Sequence, residues 1–269
     1  MSQENRIDRR FADLSKNGKA AFVAYFCAGD PDMDRSLDIM HALEQAGTDV
    51  IEVGIPFSDP MADGVVNQMA AHRALAAGGS TKGVLELIRQ FRETSELPIV
   101  LFTYLNPVYA YGFTQFHKDF AAAGADGILL LDLPPDEEGH NDELVDSGEL
   151  QHIRLIAPTT PADRIPKLAS TAEGFIYYVS REGVTGAQSE LAEGISENVA
   201  AIKKHTDVPV VVGFGISTPE QSAEVARSSD GVVVGSAIVR QIEQWGASDE
   251  VAERVGAFVK PLVDAVKQV

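Results

Sequence analysis

The 269 residues carry 40 acidic against 22 Lys and Arg side chains, a formal net charge of −18 that argues against a surface built to hold nucleic acid. A 45% hydrophobic, 23% charged composition is that of soluble globular chains, and the single cysteine, Cys27, excludes an intrachain disulfide. No apolar stretch reaches the length of a membrane span and residues 1–20 hold no apolar signal core, so a soluble cytoplasmic protein is expected.

A helix over about residues 4–17 opens the chain. The β-rich run "AAFVAYFCAG" (20–29) follows, then a helical pattern, "MDRSLDIMHALEQAG", ending at Gly47. The second run, "DVIEVGIPF" (49–57), leads into "SDPMADG" and "GVVNQ", read as a loop. Next come the helix "TKGVLELIRQFRET", capped by Ser80 or Thr81, and the run "LPIVLFTYLNP" (97–107). "FTQFHKDFAAAG" is a helix with Thr114 as N-cap and Gly124 as C-cap, before "GILLLDLP" (127–134). "HIRLIAP" (152–158) and "GFIYYVS" (174–180) come next, then a loop over 181–194 with three glycines and no apolar face, expected to be mobile over an empty site. The helix "SENVAAIKKHT", capped by Ser196, precedes "VPVVVGFGI" (208–216), and "TPEQSAEVARSS", capped by Thr218, precedes "GVVVGSAIV" (231–239). A long helix over about 248–268 ends the chain.

Eight mostly continuous apolar runs fit parallel strands covered on both faces. Alternating with helices over about 250 residues, they predict an α/β fold, a (β/α)8 TIM barrel, with residues 1–269 as one domain. An open doubly wound sheet is the alternative; no G-x-G-x-x-G follows the first run and no segment reads as a second domain.

Barrel sites form at the C-terminal strand ends, where Glu52, Asp59 and Asp63 fall. A carboxylate inside an apolar run is costly unless paired or neutralised. The structural alternative is a buried ion pair, but Arg154 is the only Lys or Arg in the eight runs and lies toward the other end of the barrel. Asp59 and Asp63, taken alone, would read as turn residues. Glycines in "GFGIS" (213–217) and "GSA" (235–237), with Gly186 in "SREGVTG", sit where barrel enzymes bind phosphate. The six histidines lack H-x-x-x-H spacing, so a metal site is not expected; Cys27 reads as packing, and no run contains the lysine a Schiff base needs. Carboxylate acid–base chemistry on a small organic phosphate remains.

"EVGIPFSDPMADG", "YLNP", "DLPPDE", "SREGVTG", "GFGIS" and "GSAIV" occur in the order and spacing of the tryptophan synthase alpha subunit family, which the chain resembles from about residue 8 to 266. The resemblance implies cleavage of indole-3-glycerol phosphate to indole and glyceraldehyde 3-phosphate, with no metal or cofactor of the chain's own. It also implies an alpha2beta2 heterotetramer with a PLP-containing beta subunit that receives the indole. Glu52 then matches the proton-transfer residue, Asp63 the second catalytic acid, and Asp59 with Thr185 the loop closure that communicates with the partner. Gly186, Phe214, Gly215, Gly235 and Ser236 match the phosphate site. Tyr25, Phe102, Leu129, Ile156 and Tyr177 match the indole side. The chain departs from familiar members at Tyr25 (Phe), Phe102 (Leu), Val65 (Pro) and Asn67 (apolar), which bears on pocket shape and loop rigidity.

Overall fold

The computed structural model describes residues 4–134, 137, 148–180, 188–213 and 215–269, the side chains of 188–193 excepted. Nine strands form one parallel sheet: β1 (Ala21–Cys27), β2 (Val50–Gly54), β3 (Ile99–Thr103), β4 (Gly127–Leu130), β5 (Gln151–His152), β6 (Arg154–Ile156), β7 (Ile176–Val179), β8 (Val210–Gly213) and β9 (Gly231–Val234). The spatial order is β5-β4-β3-β2-β1-β9-β8-β7-β6. The two ends of that order are neighbours in sequence. Only Ile153 separates β5 from β6, and its N–H donates to the Ile128 carbonyl of β4. One stretch of chain therefore pairs with β4 by its first half and β7 by its second, and the expected (β/α)8 barrel closes.

The helices are α1 (Arg6–Lys16), α2 (Met33–Gln45), α3 (Val65–Ala76), α4 (Thr81–Arg92), α5 (Leu105–Tyr111), α6 (Phe113–Ala123), α7 (Ile165–Ser170), α8 (Gln188–Lys203), α9 (Pro219–Ala226), α10 (Ser236–Trp245) and α11 (Val251–Lys267). Ser80 and Thr218 cap α4 and α9 as expected, the latter in a capping box with Gln221. Thr114 does not cap α6. Its N-cap is Gly112, two residues earlier, whose φ of +102° turns the chain out of α5. Ser196 lies inside α8, so the loop expected over 181–194 is helical from Gln188 onward. "GVVNQ" is likewise the first turn of α3 rather than a loop.

Side chains alternate along each strand. Phe22, Phe26, Ile51, Ile99, Ile128 and Val232 pack outward under the helices. Val23, Val50, Val100, Leu129, Leu155, Val211 and Val233 fill the interior, and α1 closes it with Ile7, Phe11 and Leu14.

The N-terminal face shows how this chain seats carboxylates when nothing but structure is required, two of them buried and one, Asp230, half-buried. Asp49, Asp126 and Asp230 each stand just before a strand and accept the N–H of Phe22, Ile99 and Val210, respectively, on the neighbouring strand. Each also has a cation: Arg10 and Lys267 for Asp49, Arg6 and Arg92 for Asp126, Lys203 for Asp230. Such charge-assisted bonds work against the cost of desolvation, which at Asp126 still leaves the carboxyl raised.

Candidate active site

Glu52 is the third of the five residues of β2, deeper than a strand-end position, and is 0% exposed. Its register partners are Tyr25 on β1 and Val100 on β3, so its side chain shares their interior face. Neither carboxyl oxygen has a hydrogen-bond partner among the described residues. Arg154 bonds the Thr171 carbonyl instead, so the ion-pair alternative is not met. Burial alone pushes the Glu52 carboxyl up to about 8, which leaves it mostly protonated at neutral pH. The contrast with Asp49 and Asp126 is the main electrostatic fact of the barrel: same fold, opposite treatment of a buried acid.

Two rings meet on the interior face that this acid shares. Tyr25 from β1 and Phe102 from β3 meet across β2 with centroids 4.8 Å apart. Gly54, two residues beyond Glu52, makes the meeting possible, since a Cβ there would stand 2.8 Å from the Tyr25 hydroxyl oxygen. Two of the departures from familiar family members are thus a packed pair.

Asp63 is held by the loop after β2. Its Oδ2 accepts from the Tyr104 hydroxyl at 2.7 Å and its Oδ1 from the Asn67 amide at 3.4 Å. Burial raises its pKa, while both hydrogen bonds work in the opposite direction by favouring the anion. Gln68 braces the same turn by donating to the Asp63 carbonyl at 2.9 Å. Asp59 is exposed, with Ser58 Oγ donating to its Oδ2 at 2.5 Å.

A cavity of about 520 Å³, a size suited to a small ligand, opens at this end. Its walls include Tyr25, Asn67, Phe102 and Tyr177 together with Gly213, Gly215, Gly235 and Ser236. Ser236 is the first residue of α10, so the unsatisfied N–H groups of a helix start lie among the lining residues. Gly215 has φ +61° and open space where a side chain would be. Gly213 and Gly235 also make room for rings: a Cβ would lie 2.6 Å from the Tyr177 hydroxyl oxygen and 3.2 Å from Tyr25, respectively.

Leu129 packs in the barrel interior below this cavity. Ile156 was expected on the indole side. It is buried between sheet and helices, and its neighbour Leu155 faces the interior, since one step along a strand reverses the face. Thr185, Gly186 and Phe214 lie outside the described residues. Two residues at the site were not foreseen. Tyr104 stood in the quoted "YLNP", but only its reach to Asp63 shows a role. Arg240, exposed and without an ion pair among the described residues, lines the cavity one turn along α10 from Ser236; a cation five residues past Gly235 was the available signal.

A sequence model described as tryptophan synthase alpha chain matches residues 11–267. The chain belongs to the tryptophan synthase alpha chain family. It is similar to the alpha chain of Opitutus terrae, 48% identical over 98% of this chain and 100% of that one. The alpha chain of Geobacter sulfurreducens is 47% identical, over 97% and 99%. A crystal structure of tryptophan synthase subunit alpha from Legionella pneumophila superposes with a TM-score of 0.90 at 38% identity, covering 99% of this chain and 100% of that one. Members of the tryptophan synthase alpha chain family are lyases of tryptophan biosynthesis on a TIM barrel, and this chain shares that fold and class. Among its described residues no helix is long and apolar enough to cross a membrane, and no three His, Cys, Asp or Glu side chains are grouped to hold a metal.

Proposed function

We propose that the chain cleaves indole-3-glycerol phosphate to indole and glyceraldehyde 3-phosphate. The observation that supports this reading is Glu52: a fully buried carboxyl with no hydrogen-bond partner among the described residues, held mostly protonated on the face it shares with Tyr25.

The reaction needs a proton on indole C3 and loss of one from the hydroxyl on the adjoining carbon. Protonated Glu52 gives its proton to C3, and positive charge develops at the ring nitrogen. Asp63, whose anionic form the bonds from Tyr104 and Asn67 favour against the effect of burial, offsets that charge at the N–H. Glu52, now a carboxylate, takes the hydroxyl proton. The oxygen electrons form the aldehyde carbonyl, the C3–carbon bond breaks, and its electrons restore the indole. Glu52 ends protonated, so one group serves both transfers with no net change. The phosphate is held at Gly215, Gly235 and Ser236 by the start of α10, with Gly186 and Phe214 assigned there by family resemblance. Tyr25, Phe102, Leu129 and Tyr177 border the indole. No metal or cofactor of the chain's own is required.

The partner is a PLP-containing beta subunit in an alpha2beta2 assembly, receiving indole by a tunnel. Supporting this, Met61 (87% exposed), Val65 (73%), Met69 (47%) and Tyr109 (56%) leave apolar surface on the segments that follow β2 and β3, beside Asp59. Closure of the loop through Asp59 and Thr185 belongs to the same reading. Mixing the chain with indole-3-glycerol phosphate, with and without a cognate beta subunit, and measuring indole tests the proposal. Indole release that the partner accelerates is expected; none under either condition refutes it.

A further inference from the structure

Asn67 is the departure that pocket shape does not explain. It is the third residue of α3, among Val65, Val66 and Ala70, where an apolar side chain would pack at no polar cost. Its Nδ2 donates to Asp63. That bond also fixes which end of the amide is which: turned over, Oδ1 would face a carboxylate oxygen with no hydrogen between them. The carbonyl end is therefore committed to the other direction. There Oδ1 is buried and has no donor among the described residues. Gln68, next in sequence, spends its own amide on the backbone carbonyls of Asp63 and Pro60 and supplies nothing to it.

At this end of the barrel three buried polar atoms share that condition, the two Glu52 oxygens and Asn67 Oδ1, and Asn67 lines the cavity. A desolvated acceptor left unpaired costs stability and is kept where a ligand satisfies it. The reading of Glu52 as the proton-transfer group treats its oxygens in that way, and the same logic extends to Asn67.

We propose that the Asn67 carbonyl is a second acceptor of the substrate pocket, taking a hydrogen bond from an N–H or O–H donor of the bound indolyl phosphate beside Asp63. The proposal rests on the function given above. It makes Asn67 a specificity residue: ligands with the donor are favoured over isosteres without it, because the latter leave the acceptor buried and unsatisfied. The donor is either the indole N–H or a glycerol hydroxyl, and the two are separable by ligand chemistry.

The test measures binding by calorimetry in the Glu52→Gln background, where substrate is not consumed, with and without Asn67→Leu. The probes are indole-3-glycerol phosphate, 3-indolylpropyl phosphate, which lacks the hydroxyls, and its N-methyl form. Leu is a good helix former of similar size, and an unchanged circular dichroism spectrum checks the fold. Asn67→Leu is expected to weaken binding about tenfold for the donor-bearing ligand and to leave its donor-free counterpart unchanged. Loss confined to indole-3-glycerol phosphate assigns a hydroxyl; loss on both N–H ligands but not the N-methyl form assigns the ring nitrogen. The series is repeated with Asp63→Asn, where an amide that merely positions Asp63 has no remaining effect and a direct acceptor keeps its preference. Equal change on all three ligands, or loss of the preference in the Asp63→Asn series, overturns the proposal. Failure of the Asn67-containing protein to bind any of the three would instead count against the proposed function.

Discussion

The Tyr104 hydroxyl donates to Asp63 Oδ2 at 2.7 Å while accepting the Ala62 N–H at 3.0 Å. One phenol thus ties the end of β3 to the loop after β2 and aims the second acid. Tyr104→Phe removes both bonds without changing the ring that packs on Phe57. Turnover is expected to fall about tenfold. The lost bond favoured the Asp63 anion, so its loss raises that pKa and moves the acid limb of the kcat/KM profile to higher pH. A pH–rate series on the variant measures this; an unmoved limb would show that Tyr104 only braces the loop.

Glu52 should weaken the fold at alkaline pH. Its folded pKa, about 8, lies above an ordinary 4.5, so the folded chain holds a proton that the unfolded chain releases. Stability from this group is intact below about 4.5 and is lost progressively as pH rises through about 8. Glu52→Gln removes the dependence. Denaturant melts at pH near 5 and near 9 should show the variant gaining on wild type by roughly a few kcal/mol at the higher pH. Equal differences at both would mean the carboxyl is not desolvated.

Gly235→Asp should weaken glycerol 3-phosphate binding by more than about tenfold, by placing a carboxylate where the phosphate is assigned. Because a Cβ at this position also presses Tyr25 at 3.2 Å, Gly235→Ala is the steric control and should lose less. Calorimetry on both variants decides; unchanged affinity in the Asp variant moves the phosphate site elsewhere.

Asp126→Ala should act on stability alone. It strips Arg92, only 9% exposed, of its carboxylate and the Ile99 N–H of its acceptor. Breaking a buried pair this way costs about 3–5 kcal/mol. Chemical denaturation should report the loss, while kcat at a temperature where the variant is folded stays near wild type, since this face is away from the cavity.

Much of this was legible in the sequence because parallel strands covered on both sides leave unbroken apolar runs, and eight such runs became one closed sheet. Their C-terminal ends were not legible. Leu105 and Ser236 continue an apolar pattern yet begin helices, since a run of hydrophobic residues carries no mark of where period two gives way to period 3.6. Thr114 and Ser196 are good capping residues that the chain did not use, Gly112 taking the first role through its backbone conformation. At the site, Glu52 was conspicuous because a lone acid in an apolar run is expensive. Ile156 packs between sheet and helices while Leu155 faces the interior, a one-residue step that reverses the face and that an apolar run does not mark. Tyr104 and Arg240 were missed because their roles depend on which loops meet, which local pattern does not encode.

The central claim is that one buried carboxyl at residue 52 carries the proton to indole C3 and removes the one from the hydroxyl. Indole release from indole-3-glycerol phosphate, compared between wild type and folded Glu52→Gln, tests it most directly. The amide keeps the shape and cannot exchange the proton, so turnover should fall by about 10³-fold. A folded Glu52→Gln protein that releases indole at close to the wild-type rate would contradict the account.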